Sequence, residues 1–218
     1  MRKILLYSIP VLFIILSACR PFGVRGNGNV VVKERKLSGF EKVDVSGIFH
    51  VKIVSGEDFG VKVRAEENLL KYIKTEVEGK TLVIYTKRNL SPRKNLQLKI
   101  TLPELKSIES SGVNKILAKN ISTEKFNVDL SGAGKIVLMG ECDRFFADIS
   151  GASNLEAKEF KCNSVNVDVS GASHAIVFAG SSLIIDASGA SSVKYYGDPD
   201  KVVTDVSGVS SVKRGKED

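Results

Sequence analysis

In the second half of the chain, apolar and polar residues alternate with a period of two. KFNVDLSG, RFFADISG, SVNVDVSG, SLIIDASG and KVVTDVSG each set apolar side chains mostly at every other position ahead of a Ser-Gly pair. Successive side chains of an extended chain point to opposite sides, so this pattern predicts strands with one buried face. No copy offers ten residues of helical spacing.

The glycines of these pairs fall at Gly112, Gly132, Gly151, Gly171, Gly189 and Gly208, at intervals of 20, 19, 20, 18 and 19 residues. A period near nineteen lies at the short end of solenoid repeats. The expected fold is all-β: a parallel β-helix in which each copy is one coil and equivalent side chains stack about 4.8 Å apart. Phe126, Phe145, Val165, Leu183 and Val202 then form one inward ladder, and Leu130, Ile149, Val169, Ala187 and Val206 a second. Beyond the corner, Ala133, Ala152, Ala172, Ala190 and Val209 are expected to form a ladder of small core residues, followed by Ile136, Leu155, Ala175, Val193 and Val212. The corner glycine suits a sharp bend because it tolerates positive φ.

Upstream the motif occurs once more, in degenerate form, as VDVSGIFHVKIVSG from Val43. Alternating segments follow, with turn signals at Gly56, Gly79 and Pro92, and EENLLKY reads as one short helical turn. Because Gly47 and Gly112 lie 65 residues apart, spacing leaves two outcomes open: this half extends or caps the β-helix, or it forms a small sandwich fused to it.

The N-terminus assigns a cellular address. MRKILLYSIPVLFIILSAC joins a basic start to an apolar run and ends in small residues before Cys19, the pattern of an export signal. Leu16, Ser17, Ala18 and Cys19 resemble the bacterial lipobox, in which cleavage precedes a cysteine that receives acyl chains; several chains on one residue anchor stably. The expected divisions are a signal peptide at 1–18, lipidated Cys19 with a flexible tether at 19–29, an N-terminal β region at 30–107, the β-helical repeats at 108–215 and a charged tail at 216–218. The expected location is the cell envelope, lipid-anchored, at a bacterial outer membrane. Removal of Arg2 and Lys3 with the signal lowers the formal charge from +7 to +5, a diffuse basicity that names no partner. KRNLSPRKN, around Arg93, reads as a solvated loop. Export and the lack of interleaved aromatics argue against nucleic acid.

The DxSGxS copies, FEKVDVSGIFHVKI and ENLLKYIKTEVEGKTLVI occur in this order, and together they resemble the auto-transporter adhesin head GIN domain family of exported bacterial proteins, often lipoproteins. The resemblance spans roughly Val30 to Val212. It implies an all-β fold with a right-handed parallel β-helix, and it supplies no catalytic residues.

Candidate chemistry centres on the outward positions Asp129, Asp148, Asp168, Asp186 and Asp205, with Asp44 in the earlier copy. Adjacent rungs hold carboxylates at about the spacing of a retaining glycosidase pair. Yet a uniform ladder gives every Asp similar surroundings, whereas an acid and a base must differ. The structural reading has each Asp accept hydrogen bonds from Ser hydroxyls or amides at the next corner; a bound cation is the alternative. His50 and His174 share one pattern position and read as surface residues rather than a metal pair. Cys142 and Cys162 are 20 residues apart, as are Asp148 and Asp168, which places them on adjacent coils. Either a disulfide or two buried thiols fits that spacing. The expectation is a non-catalytic envelope module, without cofactor, that binds a glycan or an envelope protein or serves a structural role. The alternative is a carbohydrate-active β-helix enzyme, for which the Arg93 loop would be the candidate.

Overall fold

The computed structural model describes residues 23–216. The export signal, Cys19, Glu217 and Asp218 lie outside the described residues. Within them, the strands in chain order are β1 (Val24–Arg25), β2 (Val30–Arg35), β3 (Lys42–Gly47), β4 (Phe49–Ser55), β5 (Gly60–Glu66), β6 (Ile73–Glu78), β7 (Thr81–Thr86), β8 (Leu90–Ser91) and β9 (Leu96–Leu102). The repeat region adds β10 (Ser107–Gly112), β11 (Lys115–Leu130), β12 (Lys135–Ile149), β13 (Asn154–Val169), β14 (His174–Ala187), β15 (Ser192–Tyr196), β16 (Lys201–Val206) and β17 (Ser211–Arg214). No helix occurs among the described residues.

From Gly112 to Gly208 the chain makes about five turns of a β-solenoid. Each coil runs along one wall towards its Ser-Gly corner, turns, runs along a second wall and returns through a short third side. The first is called here the aspartate wall. All pairings from β10 onward are parallel, and the alternation sets their register. Phe126 sits opposite Phe145, Phe145 opposite Val165, Val165 opposite Leu183 and Leu183 opposite Val202. The aromatic members of this ladder meet Phe160 from the third side, with ring centroids 5.2 and 5.3 Å from it.

The upstream half continues the stack. β3 pairs in parallel with β10, bringing Gly47 beside Gly112, and β4 pairs in parallel with β11. Beneath them lies one more rung: β7 parallel to β3, and β9 parallel to β4. That rung comes later in sequence than the coil it underlies. Antiparallel strands then close this end: β6 on β7, β5 on β9 and β2 on β5. EENLLKY forms a tight turn in which the amides of Leu69 and Tyr72 donate to the carbonyls of Glu66 and Leu69.

At the corners, Gly112 to Gly208 have φ between 71° and 93°. They also stack so closely that a Cβ on Gly171 would lie 2.4 Å from the carbonyl oxygen of Gly151. This close approach reverses one expectation. Ala133, Ala152, Ala172 and Ala190 are exposed rather than part of the core, and Val209 is 86% exposed. The left-handed turn at each glycine swings the next side chain outward, and the residue after it points in. Those inward positions hold Asn114, Gly134, Ser153, Ser173 and Ser191, all buried. The Ser173 hydroxyl donates to Gly151 O and accepts from the Ser153 amide, each at 3.2 Å. The Asn114 amide group donates to Val45 O and accepts from the Phe49 N–H, both at 2.9 Å, stitching the two earliest corners together.

Within the segment expected as a tether, Val24, Arg25 and Gly28 bond the rest of the fold. β1 pairs with β8 inside the KRNLSPRKN segment, and the residues that follow each strand are held by Glu66, whose side chain is buried. Its carboxylate accepts from Gly28 N–H at 2.6 Å, Arg93 N–H at 2.8 Å and Lys94 N–H at 3.4 Å. Burial alone pushes this carboxyl up, but the three amides, with the Arg93 charge, hold it below its ordinary value of 4.5. The Arg93 segment is therefore part of a clasp rather than a free solvated loop.

The C-terminal end is open. Val202 and Val206 keep their register on Leu183 and Ala187 but are each 43% exposed, because no described coil covers them. Lys213 and Arg214 belong to β17, and Arg214 pairs with Asp198.

Candidate functional site

The aspartate wall presents its outward residues in columns. In one, Asp44, Glu109, Asp129, Asp148, Asp168, Asp186 and Asp205 follow each other in unbroken register. Glu109 joins the column through β10, whose SIESSG hides the motif in sequence. Asp129, Asp148, Asp168, Asp186 and Asp205 are all exposed. The buried serines after each corner bond backbone carbonyls of the preceding coils, Ser153 to Gly132, Ser173 to Gly151 and Ser191 to Val169. The exposed carboxylates face solvent.

Like charges one strand apart repel. Burial, and then Asp148 and Asp186, raise the Asp168 carboxyl above its ordinary 3.8. Asp44 is raised by burial first and then by Glu109, Glu78 and Asp129. A carboxyl raised on folding favours the fold fully below its unfolded value, and that contribution is lost as pH rises through the raised folded value. At neutral pH the column is therefore under electrostatic tension that a cationic or hydrogen-bond-donating partner would relieve. Both shifts run in one direction, from burial and neighbouring carboxylates.

Beside the carboxylates runs a second outward column, Asn127, Phe146, Asn166, Ile184 and Val203, which starts from buried Ser107. A shallow groove of about 420 Å³ lies across both columns, lined by Glu109, Asn127, Asp129, Phe146, Asp148, Asn166 and Asp168 among others. Phe146 is 36% exposed, with the Lys125 ammonium 4.8 Å from its ring centroid. An aromatic face among amides and carboxylates can stack on an apolar ring face while its neighbours accept hydroxyl or amine protons. Phe146 was not singled out in the sequence, although parity marks it: Phe145 is in phase with buried Val165, so its neighbour must face outward.

His50 and His174 occupy one column of the second wall, separated by Lys115, Lys135 and Asn154. Four strand steps, about 19 Å, are too far for a shared ion. Among the described residues no group of three or more His, Cys, Asp or Glu is placed to hold a metal. Cys142 and Cys162 are register partners on the third side, both buried, with Cα atoms 4.6 Å apart and sulfurs in bonding contact.

Comparison with known proteins agrees with this architecture. The family described as "Putative auto-transporter adhesin, head GIN domain" matches residues 39–199. No curated protein matches the chain. Among solved structures, a "putative adhesin" from Bacteroides fragilis NCTC 9343 is 20% identical with a TM-score of 0.74, covering 88% of this chain and 100% of its own. A "putative lipid binding protein" from Parabacteroides distasonis ATCC 8503 is 22% identical with a TM-score of 0.55, covering 88% and 99%. A "putative adhesin" from Parabacteroides merdae ATCC 43184 is 17% identical with a TM-score of 0.54, covering 89% and 100%. At these identities the likeness is one of fold. With most of its length matched in a single span, the chain belongs to the auto-transporter adhesin head GIN domain family.

Proposed function

We propose that the protein is a non-catalytic binding module of the bacterial cell envelope, held to the outer membrane through acylated Cys19, and that it binds a neutral or amino-bearing glycan along the aspartate wall. The observation that carries this reading is the groove at Phe146, an exposed ring between two amides and a continuous line of solvent-facing carboxylates. The family description and the adhesin names of two structural neighbours support an envelope or surface role. Replacement of Cys19 by serine is expected to release the protein from the membrane fraction; a Cys19→Ser protein that stays there would remove the anchor from the account.

The test of binding is a screen of the purified protein on bacterial and host glycans at low and moderate salt. Salt-resistant binding to one glycan class is expected, because stacking and hydrogen bonds survive screening better than bare charge does. The enzyme alternative draws no support from the Arg93 segment, whose amides are committed to Glu66.

The pairing of Cys142 with Cys162 as a disulfide belongs to the same reading, since export to an oxidising compartment permits it. Closing a loop of 20 residues contributes about 3 kcal/mol in the chain-entropy picture. Thiol titration of the unfolded, unreduced mature protein is expected to find neither cysteine reactive. Reactivity that appears on unfolding alone would mean two buried thiols.

A further inference from the structure

The second wall carries a feature of the opposite sign. Where it meets the cap, Lys62 of β5, Lys99 of β9 and Lys52 of β4 stand directly beside one another in register on three adjacent strands. The parallel row two residues away reads Arg64, Gln97, His50 and Lys115. Adjacent strands are about 4.8 Å apart, a spacing at which like charges destabilise a sheet. On the same wall Lys135 pairs with Glu156 at 2.7 Å, and at the outer edge Lys62 pairs with Glu34 at 2.6 Å, whereas Lys194 and Lys213 at the far end are also neighbours in register. Among the described residues no ion pair is formed by Lys52, Lys99 or Lys115.

These side chains line a groove of about 500 Å³ whose remaining lining includes Val32, 60% exposed, and half-buried Leu117. A separate cavity on the other face of β2 is lined by Lys33, Arg35, Lys71 and Lys74 together with Glu67.

We propose that this capped end binds an acidic polysaccharide strand. The cations run across the strands in two rows, along the solenoid axis, which suits an extended ligand with charges repeated along its length better than a single small anion. The surface is concave, whereas docking on a planar bilayer calls for projecting groups. No aromatic residue lines the groove to stack on bases. The inference adds a second, oppositely charged ligand surface to the binding-module reading and does not use the Phe146 groove.

The test is calorimetric titration of the purified protein with de-esterified oligogalacturonate, with the methyl-esterified oligomer as its uncharged counterpart. The acidic oligomer is expected to bind and the ester not to bind, with affinity falling as salt rises. The Lys52→Glu/Lys99→Glu double variant is expected to weaken binding roughly tenfold or more, while keeping about the parent's stability, because one like-charge pair replaces another and a carboxylate is placed beside Lys62. Lys194→Glu/Lys213→Glu makes the same change in net charge at the far end of the same column and is expected to leave the affinity within about twofold. Equal loss in both double variants would reduce the effect to net charge and overturn the site. So would equal binding of the ester, or binding of anionic phospholipid vesicles or single-stranded DNA in place of the oligomer. Phe146→Ala is expected to leave this binding intact, so failure at one groove is distinguishable from failure at the other.

Discussion

Replacing Gly171 with alanine is expected to cost about 3 kcal/mol or more of stability, the sum of a strained left-handed backbone and a steric clash. Gly171 has a φ of 74°, and an added Cβ would sit 2.4 Å from Gly151 O, a backbone atom that no side-chain rotation can clear. The same contact recurs at Gly132, Gly151 and Gly189, at 2.5, 2.3 and 2.6 Å. Relief at one corner would have to move the coil next to it. Gly180→Ala is the matched control: a Cβ there meets its nearest neighbour at 3.4 Å, an ordinary contact, and stability should change by less than about 0.5 kcal/mol. Urea unfolding of both variants checks the pair. Equal midpoints would mean that the corners are not packed glycine on glycine.

Loss of the Glu66 carboxylate is the second large effect. Glu66→Ala leaves the amides of Gly28, Arg93 and Lys94 without their acceptor, at a cost of about 3 kcal/mol. Glu66→Gln keeps a carbonyl acceptor and should lose less. The pH dependence follows from the depressed folded pKa. The clasp contributes in full above the unfolded value, ordinarily 4.5, and its contribution is lost as pH falls through the lower folded value. Hydrogen exchange is the suitable readout, because the amides of residues 24–29 and 89–94 should lose protection together in Glu66→Ala while those of β12 and β13 keep theirs. Unchanged exchange at the clasp would show that β1 and β8 hold each other without Glu66.

Much of the stack is written in the alternation. The Phe126 and Leu130 ladders, the outward aspartates and the adjacency of Cys142 and Cys162 follow from a period of two inside a period near nineteen, and registered pairing turns those periods into neighbours. The corner broke the parity argument. One residue of left-handed φ at Gly151 turns Ala152 out and Ser153 in, so the small apolar residue was read as core when the serine is. The order of the upstream rungs was hidden for another reason. β7 and β9 slide beneath a coil already made by β3 and β4, and strand pairing between segments so far apart leaves no local periodicity. The clasp likewise depends on a partner distant in sequence: RPFGVRGNGN looks like a tether until Glu66 supplies the acceptor.

The groove around Phe146 was legible in part. Its carboxylates were recognised as a column. Its aromatic member was obscured by the adjacent Phe145, which belongs to the core.

The claim that the aspartate wall is a glycan-binding face is tested most directly by comparing the parent protein with Phe146→Ala on the same glycan array. The side chain is partly exposed, so its removal should leave the fold intact. The account predicts salt-resistant binding of one glycan class by the parent and loss of that signal, roughly tenfold or more, in the variant. Binding that persists unchanged in Phe146→Ala, or a parent protein that retains no glycan above low salt, would contradict it.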